Sequence, residues 1–212
     1  MKIYKNFISF EGIDFSGKST QIKILLERLN SHKINPLIVR EPGGTQISEK
    51  IRELLLSPSH SEMVERSEIL LYEAARAQLV HEVILPQLER GRFIIADRFY
   101  DSTTAYQGSG RELPRKFVLE LNRFATSELK PYRTFFIDIT PEMAEQRQIE
   151  KKHAQDRLEG GGLEFFNKTR EGYLQLCNEE PERFIKIDGM RKTEEIARDI
   201  WKVVSEIWNL ED

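Results

Sequence analysis

The octapeptide Gly12-Ile13-Asp14-Phe15-Ser16-Gly17-Lys18-Ser19 meets the pattern G-x-x-x-x-G-K-[ST] at every fixed position, and it leaves the chain few folds to choose from. The pattern works only between a buried strand and a helix. Its glycines let backbone N–H groups turn inward, and the helix that follows aims the positive end of its dipole at the same point. Phe7–Phe10 supplies an apolar strand before it, and Gln21–Leu29 an amphipathic helix after it. Residues 12–19 are therefore expected to cradle the phosphates of a nucleotide. Lys18 would bridge the outer phosphates and the Ser19 hydroxyl would ligate Mg²⁺.

The rest of the chain repeats the strand–helix theme. Phe7–Phe10, Leu37–Val39, Phe93–Ala96, Thr134–Ile139 and Phe184–Ile187 are short, β-branched or aromatic, and show little polar alternation. Continuous apolarity suits strands covered on both faces, as in a parallel sheet. Helical patterns fill about 18–32, 46–56, 64–90, 114–127, 141–152, 162–179 and 192–209, with Pro86 expected to kink or end the third. This order predicts one α/β domain over residues 1–212, a doubly wound five-stranded parallel sheet flanked by helices.

Composition removes whole classes of function. Thirty-two Lys plus Arg against thirty-five Asp plus Glu leave a net charge of −3, no field with which to hold a nucleic-acid polymer. A single cysteine, Cys177, forbids an internal disulfide and multi-cysteine metal centres and fits a reducing compartment. No uncharged stretch approaches the ~18 apolar residues of a membrane span, and the apolar run near Met1 is short for a signal peptide, so a cytoplasmic location is expected. His81-Glu82 lacks the second histidine of a zincin helix.

Among nucleotide binders the chain lacks the Asn-Lys-x-Asp base reader of GTPases, since Asn167-Lys168-Thr169-Arg170 carries no Asp, and it lacks a transporter signature. Its other polar motifs fall just after strands, the edge where open α/β sheets bind ligands. They are Arg40-Glu41-Pro42-Gly43-Gly44-Thr45 and Asp97-Arg98 through Ala105-Tyr106-Gln107, with Tyr72 and Arg76 four apart on one helix face between them. A small-molecule kinase fits best. Asp97 ends a strand of Walker-B shape and is expected to hold Mg²⁺ or its water, with Asp138 as a rival. Tyr72, on periodicity alone, reads equally as a core aromatic.

These segments, with Ala74-Ala75-Arg76-Ala77-Gln78, Asp156-Arg157-Leu158-Glu159 and Phe165-Phe166-Asn167-Lys168-Thr169-Arg170, together resemble the thymidylate kinase family over nearly the whole chain. The resemblance implies ATP as phosphoryl donor, dTMP as acceptor, Mg²⁺ and a homodimer. It implies that Tyr72 stacks on thymine, that Arg76 donates to thymine O4 and that Arg98 clamps the acceptor phosphate. Ser102 and Gln107 would meet the base or sugar, and Tyr106 would crowd the sugar 2′ position. Glu41 belongs to the acceptor loop, and Asp14 would stand near the acceptor phosphate and Mg²⁺. Family members close a mobile lid over ATP, here about 147–162. Some members carry an arginine where this chain has Phe15, so the catalytic cation is expected from the lid, with Lys152 favoured, Lys151 beside it and Arg157 as rival. Gly160-Gly161-Gly162 departs from the family pattern and would loosen the lid's hinge.

Overall fold

The computed structural model describes residues 2–150 and 157–210. Its sheet has the order β2-β3-β1-β4-β5, and every neighbouring pair is parallel. The strands are β1 Lys2–Glu11, β2 Leu37–Arg40, β3 Ile94–Asp97, β4 Leu129–Asp138 and β5 Phe184–Asp188. β1 runs longer than its apolar stretch predicts because Lys2–Tyr4 pairs with Leu129–Pro131 of β4. Side chains in the middle of the sheet see no water: Phe7, Ile8 and Phe10 are fully buried, as are Ile94, Ile95 and Ala96.

Around the sheet lie α1 Lys18–Ser31, α2 Gln46–Leu56, α3 Glu65–Leu79, α4 Leu85–Glu89, α5 Tyr100–Thr103, α6 Arg115–Ala125, α7 Pro141–Glu150, α8 Gly162–Glu179 and α9 Thr193–Trp208. α1 and α9 cover one face through Leu25, Leu29, Ile200, Trp201 and Val204. The opposite face packs Leu79, Val80, Ile84 and Leu88 on β1 and β3. Pro86 does not end its helix. The chain widens into a π turn at Val80–Ile84 and runs on as α4, so the missing proline N–H is absorbed in a bulge. Sequence periodicity missed α5, which continues as a second π segment over Thr104–Gly110.

Every strand ends at the same edge on a charged residue: Glu11, Arg40, Asp97, Asp138 and Asp188. The chain leaves β1 toward β2 on one side, and β4 and β5 are added on the other. The carboxyl end of β1 is thus the switch point where such sheets bind ligands.

Candidate active site

The loop after β1 folds as the octapeptide requires. Gly12 has φ 140°, and a Cβ there would lie 2.5 Å from the Ile137 carbonyl oxygen, so no other residue fits. Gly17, at φ 102°, caps α1 and turns the backbone into the helix. Lys18 folds back over the loop: its Nζ donates to the carbonyls of Gly12 and Ile13, both at 2.9 Å, and to Ser16 Oγ at 3.4 Å. Burial, then the nearby Arg98 charge, push its ammonium down to about 8 against the pull of Asp14, Asp97 and Glu11. Phe15, with φ 61°, sits in an apolar cluster with Ile13, Ile139, Met143 and Phe166.

One turn into α1, the Ser19 hydroxyl donates to Asp97 Oδ2 at 3.1 Å. A hydroxyl and a carboxylate form the hard-oxygen pair that Mg²⁺ accepts when phosphates and waters complete its shell. No cluster of three or more His, Cys, Asp or Glu suited to a metal exists among the described residues. Asp138, the rival, is engaged elsewhere: Arg170 grips both its oxygens at 2.6 and 3.1 Å and Lys186 stands 3.3 Å away.

A cleft of about 410 Å³ opens beside the loop, and Lys18, Ser19, Glu41, Tyr72, Arg98 and Gln107 are among its walls. Arg98 is its pivot. Held at φ 72°, it donates to Gly12 O at 2.8 Å, Asp14 Oδ1 at 2.6 Å, Tyr106 Oη at 3.1 Å and Ser102 Oγ at 3.2 Å. Tyr106 Oη in turn donates to Asp14 Oδ2 at 2.9 Å. Burial alone would raise the Asp14 carboxyl. The charges of Arg98 and Lys18 and the Tyr106 hydrogen bond outweigh it and hold the group below the ordinary aspartate range. Phe165, Phe166 and Tyr173 stand edge-on around the Tyr106 ring and fix its plane.

Arg76 is almost fully buried. Its Nε and Nη2 both reach Glu41 Oε2, at 2.8 and 2.7 Å, and Nη1 pairs with Glu73 and donates to Thr103 Oγ1 at 2.9 Å. Burial would discharge it, but the two carboxylates more than compensate and its pKa is raised. Glu41 is thus a partner of Arg76. Tyr72 sits one turn before Arg76 on α3, buried to 9% exposure yet lining the cleft. Sequence reading left core aromatic and cleft residue as alternatives; Tyr72 is in part both.

Arg157 turns away from the loop: Nε donates to Leu55 O at 2.8 Å and Nη1 pairs with Glu68 Oε2 at 2.7 Å. Sequence reading had it beside Asp156 and Glu159. Lys151, Lys152 and Asp156 lie outside the described residues. Arg147 of α7 donates to the carbonyls of Phe15, Ser16 and Gly189 at 3.1, 3.3 and 3.0 Å.

Several site residues carry no sequence signal. Arg52 of α2 lines the cleft and donates to Pro42 O at 2.9 Å. Glu11 reads only as the polar end of an apolar strand, yet it is fully buried beneath Arg98. It accepts from Phe99 N at 2.7 Å, Ser102 Oγ at 2.6 Å and Tyr173 Oη at 2.8 Å. Burial and the Asp101 charge push its carboxyl up to about 7, while Ser102, Arg98 and the Phe99 N–H pull the other way. The folded protein therefore holds a proton on Glu11 between about 4.5 and 7 where the unfolded chain has lost it, and stability falls as pH rises through that window. Unfolding of wild type and Glu11→Gln in urea from pH 5 to 8 should show wild type losing up to about 3 kcal/mol relative to the variant. A constant difference across that range would contradict the protonation.

A family model described as thymidylate kinase matches residues 10–200. A thymidylate kinase of Caldanaerobacter subterraneus subsp. tengcongensis is 49% identical over 200 residues, 94% of this chain and 95% of that protein. One from Fervidobacterium nodosum is 49% identical over 197 residues, 93% of this chain and 97% of that protein. A third, from Symbiobacterium thermophilum, is 44% identical over 201 residues, covering 95% and 93%. Matches that run nearly end to end take in the phosphate cradle, the arginine pivot and the cleft wall alike, and by that measure the chain belongs to the thymidylate kinase family.

Proposed function

We propose that the chain transfers the γ-phosphoryl group of ATP to dTMP, giving ADP and dTDP. The observation that carries this is Arg98. One guanidinium touches the phosphate loop at Gly12 and Asp14 and the cleft wall at Ser102 and Tyr106, so the groups suited to donor and acceptor meet at a single point. A planar fork there suits the acceptor phosphate, and Asp14 orients it. That phosphate oxygen is already an anionic nucleophile at neutral pH, so no general base is required. The rate comes from in-line placement and charge stabilisation in a cleft that excludes water.

Lys18 lies where it can meet the outer phosphates of ATP. Ser19 and Asp97 would hold Mg²⁺, which when bound neutralises charge on the phosphates. Tyr72 offers a ring to stack on thymine, and Arg76, its charge secured by Glu41 and Glu73, reads O4. Ser102 hydrogen-bonds both Glu11 and Arg98, which fits a role in steadying the arginine as much as direct contact with sugar. The cation that follows the transferred group belongs in this reading to the lid, with Lys152 favoured. Arg157, paired with Glu68, fits a structural role better.

An acceptor panel of dTMP, dUMP, UMP, CMP and AMP with ATP and Mg²⁺ tests the assignment, with dTMP expected to be used best. The same panel reads the sugar. Tyr106→Ala is expected to raise UMP use relative to dTMP on the order of tenfold by removing a clash with the 2′-hydroxyl. Tyr106→Phe keeps the ring and should keep the preference. A UMP-to-dTMP ratio unchanged in Tyr106→Ala would mean that Tyr106 only packs.

The reading extends to a homodimer and a cytoplasmic location. Phe117 and Phe124, seven apart on α6 and so on one face, are 47% and 84% exposed, and α6 packs on α3, where Leu70 is 54% exposed. An apolar face of this kind is what a self-association surface requires. Sedimentation at micromolar concentration should show a dimer, and a monomer there would remove this extension alone. No helix among the described residues is long and apolar enough to cross a membrane.

A further inference from the structure

Glu68 lies outside the mechanism above, yet it is 1% exposed and holds Gln107, Arg111 and Arg157 on its two oxygens. It stands one turn before Tyr72 on the same face of α3. Its Oε1 accepts from Gln107 Nε2 at 2.9 Å and from Arg111 Nε at 3.3 Å. Its Oε2 takes Arg111 Nη2 at 3.3 Å and Arg157 Nη1 at 2.7 Å. Arg111 is itself braced, its guanidinium 4.5 Å above the Phe165 ring.

We propose that Glu68 is a positioning residue for acceptor specificity: it sets which end of the Gln107 amide meets the base. A carboxylate accepts hydrogen bonds and cannot donate them. With guanidinium groups against both its oxygens, Glu68 admits only the NH₂ end of Gln107, and the amide loses its freedom to flip. Gln107 is 2% exposed and lines the cleft. With its NH₂ end held by Glu68, Gln107 has its Oε1 as the end left to meet a ligand. The cleft wall therefore offers an acceptor beside Tyr72. Thymine and uracil bring a ring N3–H to meet it, whereas cytosine brings a bare N3 lone pair and is repelled. A site that holds an unmet polar group against the wrong ligand discriminates more strongly than one that merely fits the right one.

The inference rests on the dTMP reading and sharpens it. In Glu68→Gln the carbonyl end of the new amide is drawn to Arg157 and Arg111, and its NH₂ end turns to Gln107. Gln107 then flips and shows its own NH₂ to the cleft. Steady-state kinetics on the full chain with dTMP and with dCMP, ATP as donor, read this directly. We expect the KM for dTMP to rise on the order of tenfold, about the worth of one hydrogen bond, with the KM for ATP nearly unchanged. The dCMP-to-dTMP ratio of kcat/KM should rise by a similar factor. A purely structural Glu68 would depress both acceptors together, and a ratio within twofold of wild type overturns the proposal. Should Glu68→Gln fail to fold, Gln107→Met decides. It keeps the volume, removes the amide and must raise the same ratio, and no change there overturns the proposal equally. If wild type phosphorylates no dTMP, both readings fall; if it does and the ratio stays put, only Glu68 falls.

Discussion

Lys18→Ala is expected to lower kcat on the order of 10³-fold or more while the protein remains folded. The Lys18 side chain is buried and its ammonium is held by the loop carbonyls of Gly12 and Ile13, so a phosphate placed there meets it with little water between. A cation of that kind stabilises charge as it moves from donor to acceptor, a contribution a solvent-exposed lysine could not make. The fold has less at stake. Alanine is at least as good a helix former as lysine at the start of α1, and the lost hydrogen bonds all run to loop atoms. Steady-state kinetics with a circular-dichroism melt of the variant check both halves. A kcat within threefold of wild type would remove the phosphate loop from the reaction.

Arg98→Ala is expected to cost kcat/KM for dTMP on the order of 10³, by a different route. The substitution removes a fork and also leaves the half-buried Asp14 beside the cleft without its ion-pair partner. Arg98→Lys keeps the charge and loses the planar fork, so it should recover only part of the loss. Arg98→Gly relaxes the backbone at φ 72° and should melt no lower than Arg98→Ala, yet be equally inactive. Because Asp14 acts through Arg98, Asp14→Asn should add little to Arg98→Ala, although it is costly alone. Additive losses in that double variant would show two independent duties.

The sheet was legible because each strand contains a short run rich in apolar residues, and the cradle because its glycines and lysine have fixed spacing. What sequence could not display is what lies between strand ends. Residues 100–110 have the polarity of a loop, yet they form helical turns because Tyr100, Ala105 and Tyr106 bury themselves in the core while Gln107 and Ser102 face polar partners. Glu11, Glu68 and Arg157 illustrate the same blindness. Their meaning lies in partners 39 to 162 residues away along the chain, brought together only by the packing of α3 and α8 on the sheet edge. Pro86 was expected to kink or end its helix, and the chain interrupts the α-helix with a π bulge at Val80–Ile84 without a stop.

The position of β1 at the middle of the sheet carries a consequence for redesign. The groups that face the acceptor follow β2 and β3 or ride on α3. Arg147, reaching from α7 to Phe15, Ser16 and Gly189, ties the β4–β5 side to the cradle. The two halves also meet where Phe165 and Tyr173 of α8 pack on Tyr106, and where Arg157 pairs with Glu68. A library confined to Glu68, Tyr72 and Gln107 can explore new acceptor bases while it leaves the contacts of Lys18, Ser19 and Arg98 in place. Arg98 is the position such a library must leave alone.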